Sequence, residues 1–296
     1  MKITNFNPVM LADAEMLTEG KNPYTEVYKL TDGRIFKYLK PPAQNDYFYQ
    51  RNYACHYNTF CGKLKKRDYL TDVEELVLPE EVLVSEKGIV RGYYTPTKTE
   101  KNISQLLKDK RNIELITNYF EDLCDAIENL HKRNIVVPDL ITEENVLYDP
   151  ENRKILFIDY DGMQVGNNPT NAISSKLCYR TNQVLRTQKY RTNTGLYTEE
   201  LDNLSLVTGY FYHITGINLS SVLLFQELVQ NEDREEEYFI KICNFFKSLG
   251  IDDIEIVSSL TNYFLSHKKN RKPKEIIKII SKKYKYNDKD KRFISA

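Results

Sequence analysis

Tryptophan is absent from this 296-residue chain, and glycine, at 11 residues, and proline, at 10, are scarce. That scarcity excludes collagen-like, glycine-rich and proline-rich disordered classes. The five cysteines, Cys55, Cys61, Cys124, Cys178 and Cys243, are odd in number and form no Cys-x-x-Cys pair. In a chain too long to need disulfide staples, they are expected to be reduced thiols in a cytoplasmic compartment. The four histidines, His56, His131, His213 and His267, lack the spacing of metal ligands. A prevailing charge is missing too: 42 Lys plus Arg balance 42 Asp plus Glu, so no net field draws the chain to nucleic acid or membrane. The basic tail Lys282 to Arg292 is interrupted by Asp288 and Asp290, which argues against nucleic-acid binding there. No long apolar run occurs, and Met1 to Asn7 has a single lysine with no apolar stretch behind it. Neither a membrane span nor a secretion signal is expected.

What is present is a pattern that changes along the chain. Thr25 to Leu30 and Arg34 to Leu39 alternate as strands around an Asp32-Gly33 turn, which predicts a hairpin. Period-two geometry puts Ile35, Lys37 and Leu39 on one face and Arg34, Phe36 and Tyr38 on the other. A lysine between two aliphatics calls for an anion. Pro41-Pro42 ends the strand, residues 44 to 65 read as a helix, and a second strand pair is predicted at Glu81 to Ser85 and Ile89 to Tyr94.

Ile113, Ile116, Phe120, Leu123, Ile127 and Leu130 recur at helical spacing through Lys132. Short strands follow at Ile135 to Val137, Val146 to Tyr148 and Lys154 to Ile158, with acids in the loops between them. Gly162 to Leu196 has little periodicity and is too long for a mere connector. Helices are predicted at Asp202 to His213, Ser220 to Gln230, Glu235 to Ser248, Ile254 to Ser266 and Pro273 to Lys283, and the charged tail from Tyr284 is expected to fray. At roughly 150 residues per domain the length suits two domains or two lobes. The division is an N-terminal β-rich part over 1–96 and a helical part over 97–296, an α+β class.

The run Leu130-His131-Lys132-Arg133-Asn134-Ile135-Val136-Val137-Pro138-Asp139-Leu140 is similar to the approach to the catalytic loop of the protein kinase-like superfamily, in its divergent bacterial Ser/Thr kinase form. Asp139 keeps the acid of the His-Arg-Asp triplet, and Val137-Pro138 replace the first two members. The second metal ligand of that loop would be Asn145, one residue later than usual, with Glu144 at the ordinary spacing. Phe157-Ile158-Asp159-Tyr160-Asp161-Gly162 resembles the Asp-Phe-Gly turn, with Asp159 as the chelating carboxylate and Asp161 where glycine is typical. Aligning Asp161-Gly162 to the end of that motif instead breaks the apolar run before Asp159. Gly20-Lys21-Asn22-Pro23-Tyr24-Thr25-Glu26-Val27 falls on the spacing of the glycine-rich loop, with Asn22 and Thr25 for the later glycines. Lys37 fits the strand lysine that contacts phosphates, with Lys40 as the alternate.

The resemblance implies a bilobed kinase-like fold with ATP and Mg²⁺ as cofactors. In it Lys37 and Asp139 are catalytic, Asn145 and Asp159 bind metal, and Gly20, Asn22, Val27 and Lys37 contact nucleotide. The hinge near Tyr93 to Thr97 adds Tyr94 and Thr95 to the nucleotide contacts. Asp202 in the run Tyr197 to Leu206 would hold the catalytic-loop backbone, and Arg271 looks like a late arginine of the family. Residues 162 to 196 would form an activation segment, favouring a protein Ser/Thr hydroxyl as acceptor, with small-molecule acceptors possible. The basic group Arg180, Arg186, Lys189 and Arg191 would be a solvated loop or a grip on phosphate.

Three features depart from the pattern: the lost glycines, Val137-Pro138, and a 44–65 helix with no glutamate to pair with the strand lysine. Another acid pairs with Lys37, or none does. A pseudokinase that binds without turnover is the alternative those departures support.

Overall fold

The computed structural model describes residues 1–18, 25–40, 57–58, 60–107, 112–138, 140, 145–167, 196–219, 235–265 and 272–296. The chain forms two compact units, one of Met1–Glu100 with Leu156–Asp161 and one of Lys101–Ile155 with Gly162–Ala296. The class is α+β, strands dominating the first unit and helices the second. Among the described residues no helix is long and apolar enough to cross a membrane.

The first unit is built on a six-stranded sheet. Its strands are β1 (Lys2–Asn5), β2 (Glu15–Met16), β3 (Thr25–Lys29), β4 (Ile35–Leu39), β5 (Glu81–Val84) and β6 (Val90–Thr95), in the order β1-β5-β6-β4-β3-β2. The β3–β4 hairpin turns where Asp32-Gly33 predicts it: Gly33 takes φ +87°, and the Leu30 N–H donates to the Arg34 carbonyl at 2.9 Å. Each face of the sheet has its own core, because side chains alternate across it. Tyr28, Leu30, Phe36, Leu83 and Tyr94 fill one face, covered by Phe6, Leu11 and Ala14 of the N-terminal segment. Leu39, Val82 and Tyr93 fill the other, against Phe60 and Leu64. Those two belong to the helix α1 over 60–66, the described end of the helix expected at 44–65.

In the second unit, α2 (Ile103–Leu106) is one turn held by a capping box of Asn102 and Gln105. The predicted amphipathic helix is α3 (Ile113–Lys132), capped by the Asn112 side chain on the Leu115 N–H at 3.1 Å. It packs against α4 (Glu199–Thr215) and the late helix α7 (Pro273–Lys283). α4 is buried along most of its length and on most of its faces, polar Asp202, Ser205, Thr208 and His213 included, the mark of a central helix. It runs a turn longer than the predicted Asp202 to His213 and stops at Gly216, which takes the left-handed conformation a C-terminal cap requires. Between α4 and α7 lie α5 (Glu235–Ser248) and α6 (Ile254–Leu265), packed on each other. Short strands β7 (Ile135–Val136) and β10 (Gln164–Val165) pair antiparallel in the same unit. β8 (Val146–Asp149) precedes β9 (Lys154–Phe157), whose last residues carry the chain into the first unit.

The tail does not fray. Tyr284–Asn287 and Arg292–Ser295 form an antiparallel hairpin, β11 and β12, with Tyr284 opposite Ser295 and Tyr286 opposite Phe293. Lys, Asp and Asn crowd its turn and outer face, while Tyr284, Tyr286 and Phe293 alternate inward and are buried. The expectation of fraying followed composition and overlooked that period of two.

Candidate functional site

In β4 the predicted faces hold. Lys37 stands directly opposite Val27 on β3 and Tyr93 on β6, and Tyr93 stands opposite Val82 on β5, so the four form a row across one face of the sheet. Thr95 pairs with Ile35 and points to the same face two residues along. Tyr94 pairs with Phe36, and its ring packs on the opposite face beneath the Arg34 guanidinium, 4.2 Å from the ring centroid. Its carbonyl accepts the Glu80 N–H at 2.9 Å, and β6 remains strand through Thr95.

The acids reach this face from the segment that follows β9. The Val77 N–H donates to the Phe157 carbonyl at 2.9 Å and the Phe157 N–H to the Glu75 carbonyl at 2.7 Å, which anchors the segment within the first unit. Beyond it the chain turns in a short 3₁₀ segment, Tyr160–Gly162. Lys37 Nζ donates to Asp159 Oδ1 at 2.5 Å and to Asp161 Oδ1 at 2.6 Å. Asp161 Oδ1 also accepts the Tyr93 hydroxyl at 2.6 Å. The acid left open by the glutamate-free helix is therefore a pair of aspartates, 122 and 124 residues after the lysine.

The helix contributes a cation. Lys63 of α1 is fully buried and donates from Nζ to the Asp161 backbone carbonyl. The Tyr160 hydroxyl returns a hydrogen bond to the Lys63 carbonyl at 2.8 Å, so helix and turn are stapled in both directions. Two ammonium groups, two carboxylates and a phenol thus share one buried pocket of charge. Burial opposes the ammonium of Lys37, but the Asp159 and Asp161 carboxylates outweigh it and hold its pKa well above the ordinary lysine value. Lys63 meets burial with less compensation from Asp161 and Asp159, and is pushed down to about 8. Burial raises Asp159, against the pull of Lys37 and with the help of Asp161. Burial, then the Asp161 charge, lifts the Tyr93 phenol well above its usual range, so it stays a donor.

Asp202 sits fully buried in the second unit, where its Oδ2 accepts the Val137 N–H at 2.9 Å and lies 2.8 Å from His131 Nε2. It holds the backbone just before Pro138. Asn145 is half-buried just ahead of β8. Gly20, Asn22, Asp139, Glu144, Arg180, Arg186, Lys189, Arg191, Arg271 and the helix expected at Ser220 to Gln230 lie outside the described residues.

Lys63, Asp161, the Tyr93 hydroxyl and His131 were not singled out as site residues from sequence. One signal for Lys63 was available: with Phe60 and Leu64 at i−3 and i+1 it interrupts an apolar helical stripe, where a lysine needs a buried partner. No protein-family model and no curated protein matches the chain.

Proposed function

We propose that the protein is a divergent kinase-like phosphotransferase of bilobed fold, which takes ATP with Mg²⁺ and passes the γ-phosphoryl group to a hydroxyl. The favoured acceptor is a protein serine or threonine. The observation that carries this reading is Lys37, held on the inner face of the N-terminal sheet by Asp159 and Asp161. A strand ammonium already paired with anions can exchange a carboxylate for a phosphate oxygen, and the released carboxylate is then a hard oxygen ligand for Mg²⁺. Among the described residues no group of three His, Cys, Asp or Glu could hold a metal by itself. Mg²⁺ takes most of its ligands from phosphate and water, so one or two protein carboxylates suffice for it.

In this reading Lys37 positions the phosphates beside Val27, with Gly20 and Asn22 over them and Thr95, on the same face at the end of β6, toward the nucleotide base; Tyr94, whose ring lies on the other face, is not a contact. Asp159 and Asn145 supply metal ligands. Bound Mg²⁺ would neutralise charge developing on the phosphoryl oxygens. Asp139 orients the acceptor hydroxyl and accepts its proton as the new O–P bond forms and the bond from Pγ to the ADP oxygen breaks. Catalysis here is positioning and charge neutralisation rather than covalent chemistry by the protein.

One observation favours a second reading, a module that binds nucleotide or partner without turnover. The helix presents Lys63 rather than an acid, and the lysine and the chelating aspartate already neutralise one another. Incubation with γ-labelled ATP and Mg²⁺, alone and with generic protein and small-alcohol acceptors, separates the readings. Transferred label in the wild type that disappears in Asp159→Ala supports the enzyme. Thermal stabilisation by ATP without transfer supports the binding module. If neither label nor ATP binding is seen, the enzyme reading fails and a module that binds a partner without nucleotide remains.

A further inference from the structure

Two carboxylates meet one ammonium in this cluster, and their surroundings differ. The Asp161 side chain is 4% exposed and that of Asp159 is 24% exposed. Asp161 is fixed at three buried points: its Oδ1 takes both Lys37 Nζ and the Tyr93 hydroxyl at 2.6 Å, and its backbone carbonyl takes Lys63 Nζ. Tyr93 is itself immobilised, with its ring stacked on Phe60 at 5.1 Å between centroids. Moving Asp161 would leave a buried phenol and a buried ammonium without their acceptor, and each orphaned group carries its full desolvation penalty. Among the described residues Asp159 is held by Lys37 and by a hydrogen bond with Asp161, and by neither Tyr93 nor Lys63. It meets the same ammonium from the more exposed side.

We propose that the two aspartates divide the work, Asp161 acting as the positioning residue that keeps Lys37 on the sheet face and Asp159 as the exchangeable partner that leaves when metal-bound phosphate arrives. The part assigned to Asp159 rests on the nucleotide reading above; the part assigned to Asp161 does not. Charge balance makes the exchange conditional. Lys37 and Lys63 against Asp159 and Asp161 sum to zero, so withdrawing Asp159 toward a cation leaves one uncompensated positive charge in a buried place, a strongly unfavourable state. A phosphate oxygen entering beside Lys37 restores the balance. Metal alone brings no such anion, and a metal-free nucleotide would crowd Asp159 with like charge. Metal and nucleotide are therefore taken up together.

Two measurements test this. The first needs no nucleotide: double-mutant cycles in denaturant unfolding that pair Lys37→Met with Asp161→Asn, Asp159→Asn or Tyr93→Phe. A Lys37–Asp161 coupling of about ten-fold or more in the unfolding constant, and larger than that of Lys37–Asp159, is expected. Equal or reversed couplings overturn the division. Should Asp161→Asn not fold, the milder Tyr93→Phe cycle decides, with a coupling of several-fold supporting the anchor and one near unity overturning it.

The second measurement is ATP affinity with Mg²⁺ and with chelator, together with thermal shift by Mg²⁺ alone. Wild type is expected to bind ATP at least about ten-fold more tightly with Mg²⁺ and to show no shift with Mg²⁺ alone. Asp159→Asn brings the affinity ratio toward one. Tyr93→Phe keeps the ratio while weakening both affinities. A ratio lost in Tyr93→Phe and kept in Asp159→Asn reverses the roles and sinks the proposal, as does a shift with Mg²⁺ alone. If wild type binds no ATP under either condition, the nucleotide reading and the role of Asp159 fall, while the unfolding cycles still decide Asp161.

Discussion

His131 Nε2 donates to Asp202 Oδ2 across 2.8 Å, joining the last turn of α3 to the first turn of α4. The same oxygen accepts the Val137 N–H, so one buried carboxylate gathers three parts of the second unit. Its other oxygen, Oδ1, is buried and has no hydrogen-bond partner among the described residues. The residue after Val137 is Pro138, which has no N–H to give. The histidine and the Val137 N–H therefore share Oδ2.

That histidine makes stability depend on pH with a definite sign. Burial disfavours the imidazolium, but the Asp202 hydrogen bond and the Asp202, Glu199 and Glu200 carboxylates more than offset it, and its pKa lies above the ordinary value. Glu199 is 3.8 Å from Nδ1. A folded value raised above the unfolded one, about 6.5, gives stability that is full below pH ~6.5 and is lost as pH rises through the raised value. Unfolding free energies of wild type and His131→Gln from urea titrations should differ most at low pH, by about 1–3 kcal/mol, and converge toward pH 9. Parallel curves would contradict the assignment.

Lys63 works in the opposite direction. Its folded value of about 8 lies below that of a free lysine, so between pH 8 and 10 the unfolded chain binds more protons and the native state gains stability as pH rises. Lys63→Met removes that gain. Over this window the stability difference should move steadily in favour of wild type, read from unfolding midpoints at fixed ionic strength. A constant difference would mean that the buried amine does not titrate there.

Where local pattern decides structure, the sequence was legible. The β3–β4 hairpin, the face shared by Lys37 and Leu39, and α3 all follow from period and turn residues. The short strand β1 was not legible, because it pairs in parallel with β5 some eighty residues away and parallel pairing leaves no turn signature. In sequence Asp161 shows as a departure from glycine, or as part of a shifted motif end, and not as a partner of Lys37. Its role depends on Tyr93 and Lys63, which lie 68 and 98 residues upstream, and no local window holds all three. Lys37 could be called an anion-seeking residue from its strand face, but which anion it found was a tertiary fact.

The hairpin at the tail gives a direct check on the burial of a segment whose composition is polar. Phe293 is 2% exposed and lies edge-on to Phe211 at 5.9 Å and to Tyr286 at 5.2 Å. Phe293→Ala should cost about 3–5 kcal/mol, a loss close to that of a central core residue. A frayed tail would lose almost nothing in the same unfolding titration.

Gly92 tests how far Lys37 depends on the sheet beneath it. It stands opposite Tyr38 on β4 and Leu83 on β5. A Cβ added there would run into the Lys37 backbone carbonyl and come within 2.6 Å of the Phe36 ring. Neither neighbour can yield, since the carbonyl belongs to the adjacent strand and Phe36 is packed among Phe6, Tyr38 and Tyr94. Overpacking of this kind costs about 1–3 kcal/mol when side chains can shift, and more when backbone must. Gly92→Ala is therefore expected to lose at least about 3 kcal/mol. Because β4 would have to move away from β6, the contact between Lys37 and the Asp161–Tyr93 pair would loosen as well. In the double-mutant cycle with Asp161→Asn, the Lys37 coupling measured on a Gly92→Ala background should fall by at least half. An unchanged coupling would show that the cluster is held by the 159–162 turn and α1 alone, independent of the strand that carries the lysine.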